Sequence, residues 1–172
     1  CAEAATRSSY TTGQHNFLGT FSGFSDDLNL SIPGPSCSGV GSAGTEGIVP
    51  VRLEAGEYIT AFYTHYDNGS IYLQTVCSDT TTCLSSGDVL PALGTESLVY
   101  QNNTGAAENL YLVADCRTGA CSGNYNLDVH IDASEAPPPF VDTCAEAQAN
   151  PAFGTGVHQI YGSNTGLSGD LS

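Results

Sequence analysis

The chain has 172 residues, of which 18 are acidic and only 3 are basic, so its formal net charge at pH 7 is −15. A surface of this charge repels phosphate backbones and anionic lipid headgroups, so nucleic acids and membrane surfaces are not expected as partners. No apolar run approaches the ~20 residues that a membrane-spanning helix needs. A hydrophobic share of 40% is nevertheless enough to build a core, and most of the chain is expected to fold.

The first predicted strands occupy the middle of the chain. Residues 48–53 are apolar around Pro50, which predicts an edge strand or a strand start, because proline cannot donate a hydrogen bond to a central ladder. Residues 57–65 and 70–76 alternate large apolar and polar side chains, as half-buried strands do. The Asp-Asn-Gly sequence at 67–69 predicts a tight hairpin turn between them.

Further strands are predicted at residues 97–101, 109–115 and 124–131. The last two are expected to pair as a hairpin across a short turn. No stretch keeps a helical period for long, although residues 1–7 or 144–150 suit a single helical turn. Short strands separated by Gly, Asn, Asp or Ser predict an all-β fold, an antiparallel β-sandwich.

Seven cysteines indicate an oxidising, extracellular compartment rather than a zinc site. Two pairs lie close together, at spacings wider than the CxxC pairs of zinc ligands, and they suit disulfides that staple turns. The expected bridges are Cys77–Cys83, Cys116–Cys121 and, from the remaining cysteines, Cys1–Cys37, with Cys144 unpaired.

An internal repeat explains the seventh cysteine. Residues 144–172, the tail segment, align without a gap on residues 1–29, the head segment, with 12 identical positions of 29. Chance would give about two at average residue frequencies. The offset of 143 residues predicts that 1–133 form one repeat unit and that 144–172 open the next. The tail residues expected to serve assembly are Cys144, Phe153, Ile160, Tyr161, Leu167 and Leu171.

Residues 134–143 form the predicted linker between the copies. Three consecutive prolines at 137–139 favour a stiff, extended polyproline II path. A stiff spacer suits a string of domains whose relative placement matters.

The pattern of the unit resembles a known family. The features that carry the resemblance are the opening CAEA at Cys1, Cys37, the segment 45–77 (TEGIVPVRLEAGEYITAFYTHYDNGSIYLQTVC), and the strands NLYLVAD and GNYNLDVHI at 109–115 and 123–131. Together they resemble the pre-peptidase C-terminal domain of secreted bacterial proteins, which also occurs in tandem in long extracellular proteins. The resemblance implies a jelly-roll-like sandwich without catalysis of its own.

Motifs of catalysis are not found in the sequence. There is no GxSxG elbow and no HExxH motif, and the four histidines, His15, His65, His130 and His158, are scattered. The chain is therefore not expected to be an enzyme.

Calcium is the one cofactor that the residue types favour, although none is required. Carboxylates are the hard oxygen ligands that Ca²⁺ prefers, but surface carboxylates are usually just solvated. The candidate ligands are Asp26, Asp27, Glu46, Asp67 and Asp115. Three sequons place candidate glycans at Asn29, Asn68 and Asn102.

Two functions of different classes follow from these features. The first is a structural subunit of an extracellular filament, stalk or surface assembly, whose partners are copies of itself. The alternative is a non-catalytic ligand- or substrate-binding accessory module of a secreted hydrolase. The repeat favours the first, and the absence of tryptophan gives no sign of the aromatic platform expected for the second.

Overall fold

A computed structural model describes residues 1–26, 28, 30–31, 37, 41–42, 44–88, 94–117, 121 and 123–132. All of them belong to one compact unit, Cys1–Ser134. The strands are β1 (Gly13–Thr20), β2 (Leu30–Ser31), β3 (Gly41–Ser42), β4 (Glu46–Leu53), β5 (Tyr58–His65), β6 (Gly69–Gln74), β7 (Cys83–Gly87), β8 (Thr95–Gln101), β9 (Glu108–Cys116) and β10 (Asn124–Asp132). Two single-turn 3-10 helices, Ala4–Thr6 and Thr80–Thr82, accompany them. The predicted linker and the tail segment lie outside the described residues.

The strands form two four-stranded antiparallel sheets that pack together. The front sheet has the order β1-β10-β5-β8, and the back sheet has the order β4-β9-β6-β7. The short strands β2 and β3 pair separately. The predicted antiparallel, jelly-roll-like sandwich is confirmed, and each of the six predicted strands is present with slightly different ends. The single helical turn predicted in residues 1–7 is also present, at Ala4–Thr6.

The core lies between the sheets, where alternate side chains of each strand meet. Val51, Ile59, Tyr63, Leu112 and Val129 are fully buried there. The back sheet is buried on its outer face as well, and every residue of β6 is buried. A second apolar cluster accounts for this, built from Leu28, Cys37, Tyr72, Cys83 and Val113. Leu28 and Cys37, which lie between β1 and β4 in the chain, therefore cover part of the outer face of the back sheet.

The turn after β5 is not the predicted hairpin. β5 belongs to the front sheet and β6 to the back sheet, so the Asp-Asn-Gly turn crosses between sheets. Its polar groups hold that corner: the His65 ring Nδ1 bonds the Asp67 carbonyl, and the Asp67 carboxylate accepts the N–H of Gly123 at 3.2 Å. Gly69 permits a close approach, since a Cβ there would lie 2.6 Å from the ring of Tyr63.

The predicted hairpin of the last two strands is also wrong, because β9 lies in the back sheet and β10 in the front sheet. The Cys116–Cys121 bridge is confirmed, with Cα atoms 5.9 Å apart, and it lies in the connection between the sheets. An alternating pattern specifies which face of a strand is buried and leaves its neighbour in the sheet undetermined.

The other two predicted disulfides are wrong. The structure joins Cys1 to Cys77 and Cys37 to Cys83, with Cα separations of 5.6 and 6.2 Å. The turn between β6 and β7 is already closed by its own hydrogen bonds, including Thr75 N–H to the Thr82 carbonyl at 3.3 Å. The cysteines that flank it instead bond Cys1 and Cys37, which both precede β4 in the chain. These bridges close loops of 76 and 46 residues, and each is expected to contribute about 4 kcal/mol in the chain-entropy model.

Candidate assembly surface

Two of the four sheet edges close against each other. β7 of the back sheet meets β8 of the front sheet, and the Ser85 hydroxyl donates to the Val99 carbonyl at 3.0 Å. A Cβ on Gly87 would overlap the backbone of Ser97. This close approach leaves little room for another strand on that side of the sandwich.

The third edge, β4, is blunted by proline and by the head segment. Pro50 has no N–H to offer an added strand. Tyr10 lies beside it and donates its backbone N–H to the Pro50 carbonyl at 3.0 Å. Tyr10 also accepts the N–H of Arg52 at 2.8 Å. The predicted edge position of Pro50 is therefore confirmed.

The fourth edge, β1, has no such protection among the described residues. Its eight residues pair with β10 in an unbroken register, without a bulge. It contains no proline and no Asp, Glu, Lys or Arg, whereas exposed edges are usually blunted by proline or by charged side chains. Its outward side chains are exposed, and Leu18 keeps 74% of its surface. β1 is thus the edge most open to pairing with another strand.

Three glycines of the head segment meet backbone requirements. Gly13 and Gly23 have φ values of +135° and +87°, which other residues rarely adopt. Gly19 packs on Tyr125, where a Cβ would lie 2.9 Å from the hydroxyl oxygen. The same spacing recurs in the tail segment at Gly156, Gly162 and Gly166.

The buried side chains of the head segment recur less completely in the tail segment. Ala4 and Leu28 are buried, and the tail has the same residue types at their counterparts. The core residue Phe21 is matched by Asn164. The predicted assembly residues Cys144, Phe153, Ile160, Tyr161, Leu167 and Leu171 all lie outside the described residues.

Three of the predicted calcium ligands lie near one another around Asp115. Glu46 is its cross-strand partner on β4, and Asp26 is close enough to act on it electrostatically. Asp115 is fully buried, and the Tyr72 hydroxyl donates to its Oδ2 at 3.0 Å. The other oxygen, Oδ1, has no hydrogen-bond partner among the described residues.

Burial controls the charge of Asp115. Desolvation is the main cause that raises its pKa to about 9, with the nearby Glu46 and Asp26 adding to the effect and the Tyr72 hydrogen bond opposing it. The carboxyl is therefore protonated at neutral pH, a form that binds cations poorly. The described residues contain no group of three or more His, Cys, Asp or Glu arranged to hold a metal ion. Calcium stays a prediction that rests on ligand chemistry alone.

The remaining candidate ligands and two of the sequons do not join this cluster. Asp67 lies at the turn after β5, where it caps Gly123. Asn68 is half-buried in the same turn, and its carbonyl accepts the N–H of Arg117 at 3.0 Å. Asp27 and Asn29 lie outside the described residues.

Asn102 is a structural residue, and its assignment as a glycan acceptor is wrong. It is fully buried, and its Nδ2, the atom that would carry the sugar, donates to the carbonyls of Leu53 and Ala106 at 3.1 and 2.7 Å. Its Oδ1 accepts the hydroxyl of Thr104 at 2.7 Å. The Thr that completes the sequon thus serves the turn after β8.

The described histidines lie on three different strands of the front sheet, β1, β5 and β10. His65 is buried beside Glu96, with Nε2 3.9 Å from Oε1. Glu96 could not be identified from the sequence, because a single glutamate does not indicate which distant residue it contacts. His158 lies outside the described residues.

A shallow cavity of about 290 Å³ lies where the Ala4–Thr6 turn faces Pro50 and Tyr111.

Comparison with known proteins assigns no family, since no family model, no curated protein and no solved structure matches the chain. No helix in the described part of the chain is long and apolar enough to cross a membrane. The fold is a disulfide-bridged antiparallel β-sandwich, and among the described residues nothing covers the outer edge of β1.

Proposed function

We propose that this chain is a structural subunit of an extracellular filament, stalk or surface assembly. The subunits are tandem copies of a domain like the pre-peptidase C-terminal domain, joined head to tail. The observation that carries the proposal is the recurrence of the three constrained glycines of the head segment at the same spacing in the tail segment. The proposal assigns no catalytic role to the subunit.

The glycines matter because the tail segment does not simply repeat every residue. It has glycine at positions 154 and 169, where the head has Thr11 and Asp26. Where the head needs glycine for a positive φ or a close approach, the tail also has glycine. This agreement supports a tail segment that takes the conformation of the head segment.

In the described unit the place of the head is filled by the head itself. β1 pairs with β10 along its whole length, and Cys1 is bonded to Cys77. A tail segment of the same conformation would therefore complete a further domain, and Cys144 would bond the counterpart of Cys77 there. Contacts of this kind are head to tail, and when they do not close into a ring they produce an open filament. The stiff prolines at 137–139 would set the axial step.

The extracellular location is part of the same proposal. Three disulfides, two of them between distant segments, are typical of an oxidising compartment. A net charge of −15 would keep subunits soluble before assembly.

A chimera tests whether the tail segment is a second head. The sequence of residues 144–172 replaces residues 1–29 in the full chain, with Asn164 changed to Phe because Phe21, its counterpart, is a core residue. Folding is followed by circular dichroism and non-reducing peptide mapping. We expect a folded protein in which the transplanted Cys144 is bonded to Cys77. A chimera that is unfolded, or one in which Cys77 remains a free thiol, would contradict the repeat.

Two matched variants of the chimera sharpen this test. In the transplanted segment, Gly162→Val places a side chain at the position of Gly19, against Tyr125, and is expected to prevent folding. Gly154→Val lies at the counterpart of Thr11, itself β-branched, and is expected to fold like the parent chimera. If the two variants fold equally well, or both fail to fold, the tail glycines do not serve the backbone requirements of the head glycines.

A second candidate function is a ligand-binding accessory module of a secreted hydrolase, and the outer face of the front sheet favours it. Amide and hydroxyl groups predominate there, and Asn126 links Asn16 and Asp128 through hydrogen bonds of 2.8 and 3.1 Å. Phe62 lies beside Asp128 in the sheet register. A face rich in amide and hydroxyl groups, whose acidic residues are Asp128 and Asp132, suits a polyhydroxyl ligand.

Co-sedimentation with insoluble polysaccharides tests this candidate. Binding that is lost in Asn126→Ala and kept in Asn103→Ala, an exposed asparagine elsewhere, would support it. If Asn126→Ala and Asn103→Ala co-sediment with the polysaccharide to the same extent, this face is not the binding site.

A further inference from the structure

The strand β1 gives a second copy of this chain a place to approach. β1 contains no Asp, Glu, Lys or Arg. Of the other three edge strands, β4 carries Glu46 and Arg52 and β8 carries Glu96, while β7 also lacks these residues but closes against β8. Two copies with a net charge of −15 each repel one another over most of their surface. That repulsion is weakest where two strands without acidic residues meet.

Strand pairing also needs an edge whose hydrogen-bonding groups are available. β7 and β8 close against each other, and Tyr10 occupies the edge of β4 beside Pro50. Only β1 has an outer side that the described residues leave uncovered. An edge of this kind is a template for an added strand.

We propose that β1 pairs antiparallel with β1 of a second copy of this chain, which joins the two front sheets into one continuous sheet. This inference does not depend on the head-to-tail joining proposed above. It adds a lateral contact between subunits, related by a two-fold axis.

The alternation of β1 limits the register of this contact. Outward side chains must stay outward in the joined sheet, because a slip of one residue reverses the faces. Pairing centred on Phe17 satisfies this requirement, since it places Asn16 opposite Leu18 of the second copy and Phe17 opposite its own counterpart. Phe17 is only partly buried and Leu18 is 74% exposed in one copy, and both would lose exposed surface. Facing aromatic residues are a favourable cross-strand pair.

The tail segment is a less suitable occupant of this edge. Residues 156–163 repeat the pattern of β1 itself, including the glycine that accommodates Tyr125 of β10. That pattern suits the place of β1 against a β10 strand. The second copy of β1 therefore fits the outer side of β1 better than the tail does.

Amide hydrogen exchange of the full chain, measured over a range of protein concentrations, tests the pairing. We expect the amides of residues 13–20 to exchange more slowly as concentration rises. Leu18→Lys places a charge on the edge at an exposed position, so folding should be unaffected, and it should remove the concentration-dependent protection. Val99→Lys has the same change of charge at a 56% exposed residue of the covered edge β8 and serves as the control. Ile160→Lys alters the tail segment.

The pairing is supported if the wild type, Val99→Lys and Ile160→Lys all gain protection at β1 while Leu18→Lys does not. Protection that persists in Leu18→Lys overturns the proposal. Protection that Ile160→Lys removes identifies the tail segment as the occupant and also overturns it. Failure of the head-to-tail proposal is a separate result, since filaments would then be absent while the protection at β1 remained.

Discussion

Replacement of Asp115 by asparagine is expected to stabilise the protein at neutral pH. The folded state raises the pKa of this carboxyl from 3.8 to about 9, mainly through burial. Between these values the folded chain keeps a proton that the unfolded chain has released. The contribution of this carboxyl to stability is therefore greatest below pH 3.8 and falls as pH rises from 3.8 to about 9, by up to about 1.4 kcal/mol per pH unit.

Asparagine keeps the shape of the side chain and can accept the hydrogen bond from the Tyr72 hydroxyl. It does not titrate, so the pH dependence due to this position disappears. Between pH 5 and pH 7 the stability of Asp115→Asn relative to the wild type should rise by about 2.7 kcal/mol. Urea unfolding at several pH values in this range measures the difference directly.

The matched control is Asp132→Asn, which removes one negative charge from an exposed position at the end of β10. It accounts for the relief of general repulsion in a chain with a net charge of −15. If the wild type and Asp115→Asn keep a constant difference in stability from pH 5 to pH 8, the buried protonated carboxyl is refuted.

Four other measurements bear on the account. Asn102→Ala leaves buried carbonyls without a donor and should cost about 2–4 kcal/mol in urea unfolding, while exposed Asn103→Ala should cost little. Removal of the Cys37–Cys83 bridge should cost about 4 kcal/mol and removal of Cys116–Cys121 about 2, because the loops span 46 and 5 residues; the opposite order would contradict the long-range pairing. If calcium binds, a chelator should lower the melting temperature and re-added calcium should restore it. A melting temperature that the chelator leaves unchanged would rule out calcium binding. Truncation after Thr143 should leave a folded protein that forms no filaments in electron micrographs, and filaments of that variant would exclude the tail from assembly.

Strand positions could be predicted from the sequence where alternation was strong, as at residues 57–65 and 109–115. β1 was missed because its sequence, GQHNFLGT, has few large apolar residues and is buried only partly, against β10. The alternation that located the strands could not identify their neighbours. The Asp-Asn-Gly turn and the Cys116–Cys121 staple therefore both suggested hairpins, although each connects opposite sheets.

The candidate sites show the same limit. Asp26, Glu46 and Asp115 are candidate calcium ligands because each has a carboxylate. Burial keeps the Asp115 carboxyl protonated, and that burial depends on contacts between strands that are distant in the sequence. Asn102 matched a sequon of three residues, while its hydrogen bonds reach Leu53 and Glu54, almost fifty residues away. The disulfides were assigned by proximity along the chain, whereas the fold brings Cys1 to Cys77.

Electron microscopy of the native material tests the central proposal most directly. The account predicts filaments or stalks in which sandwich-sized domains follow one another at a regular axial step. Dispersed single particles in the native material, at every concentration observed, would contradict it.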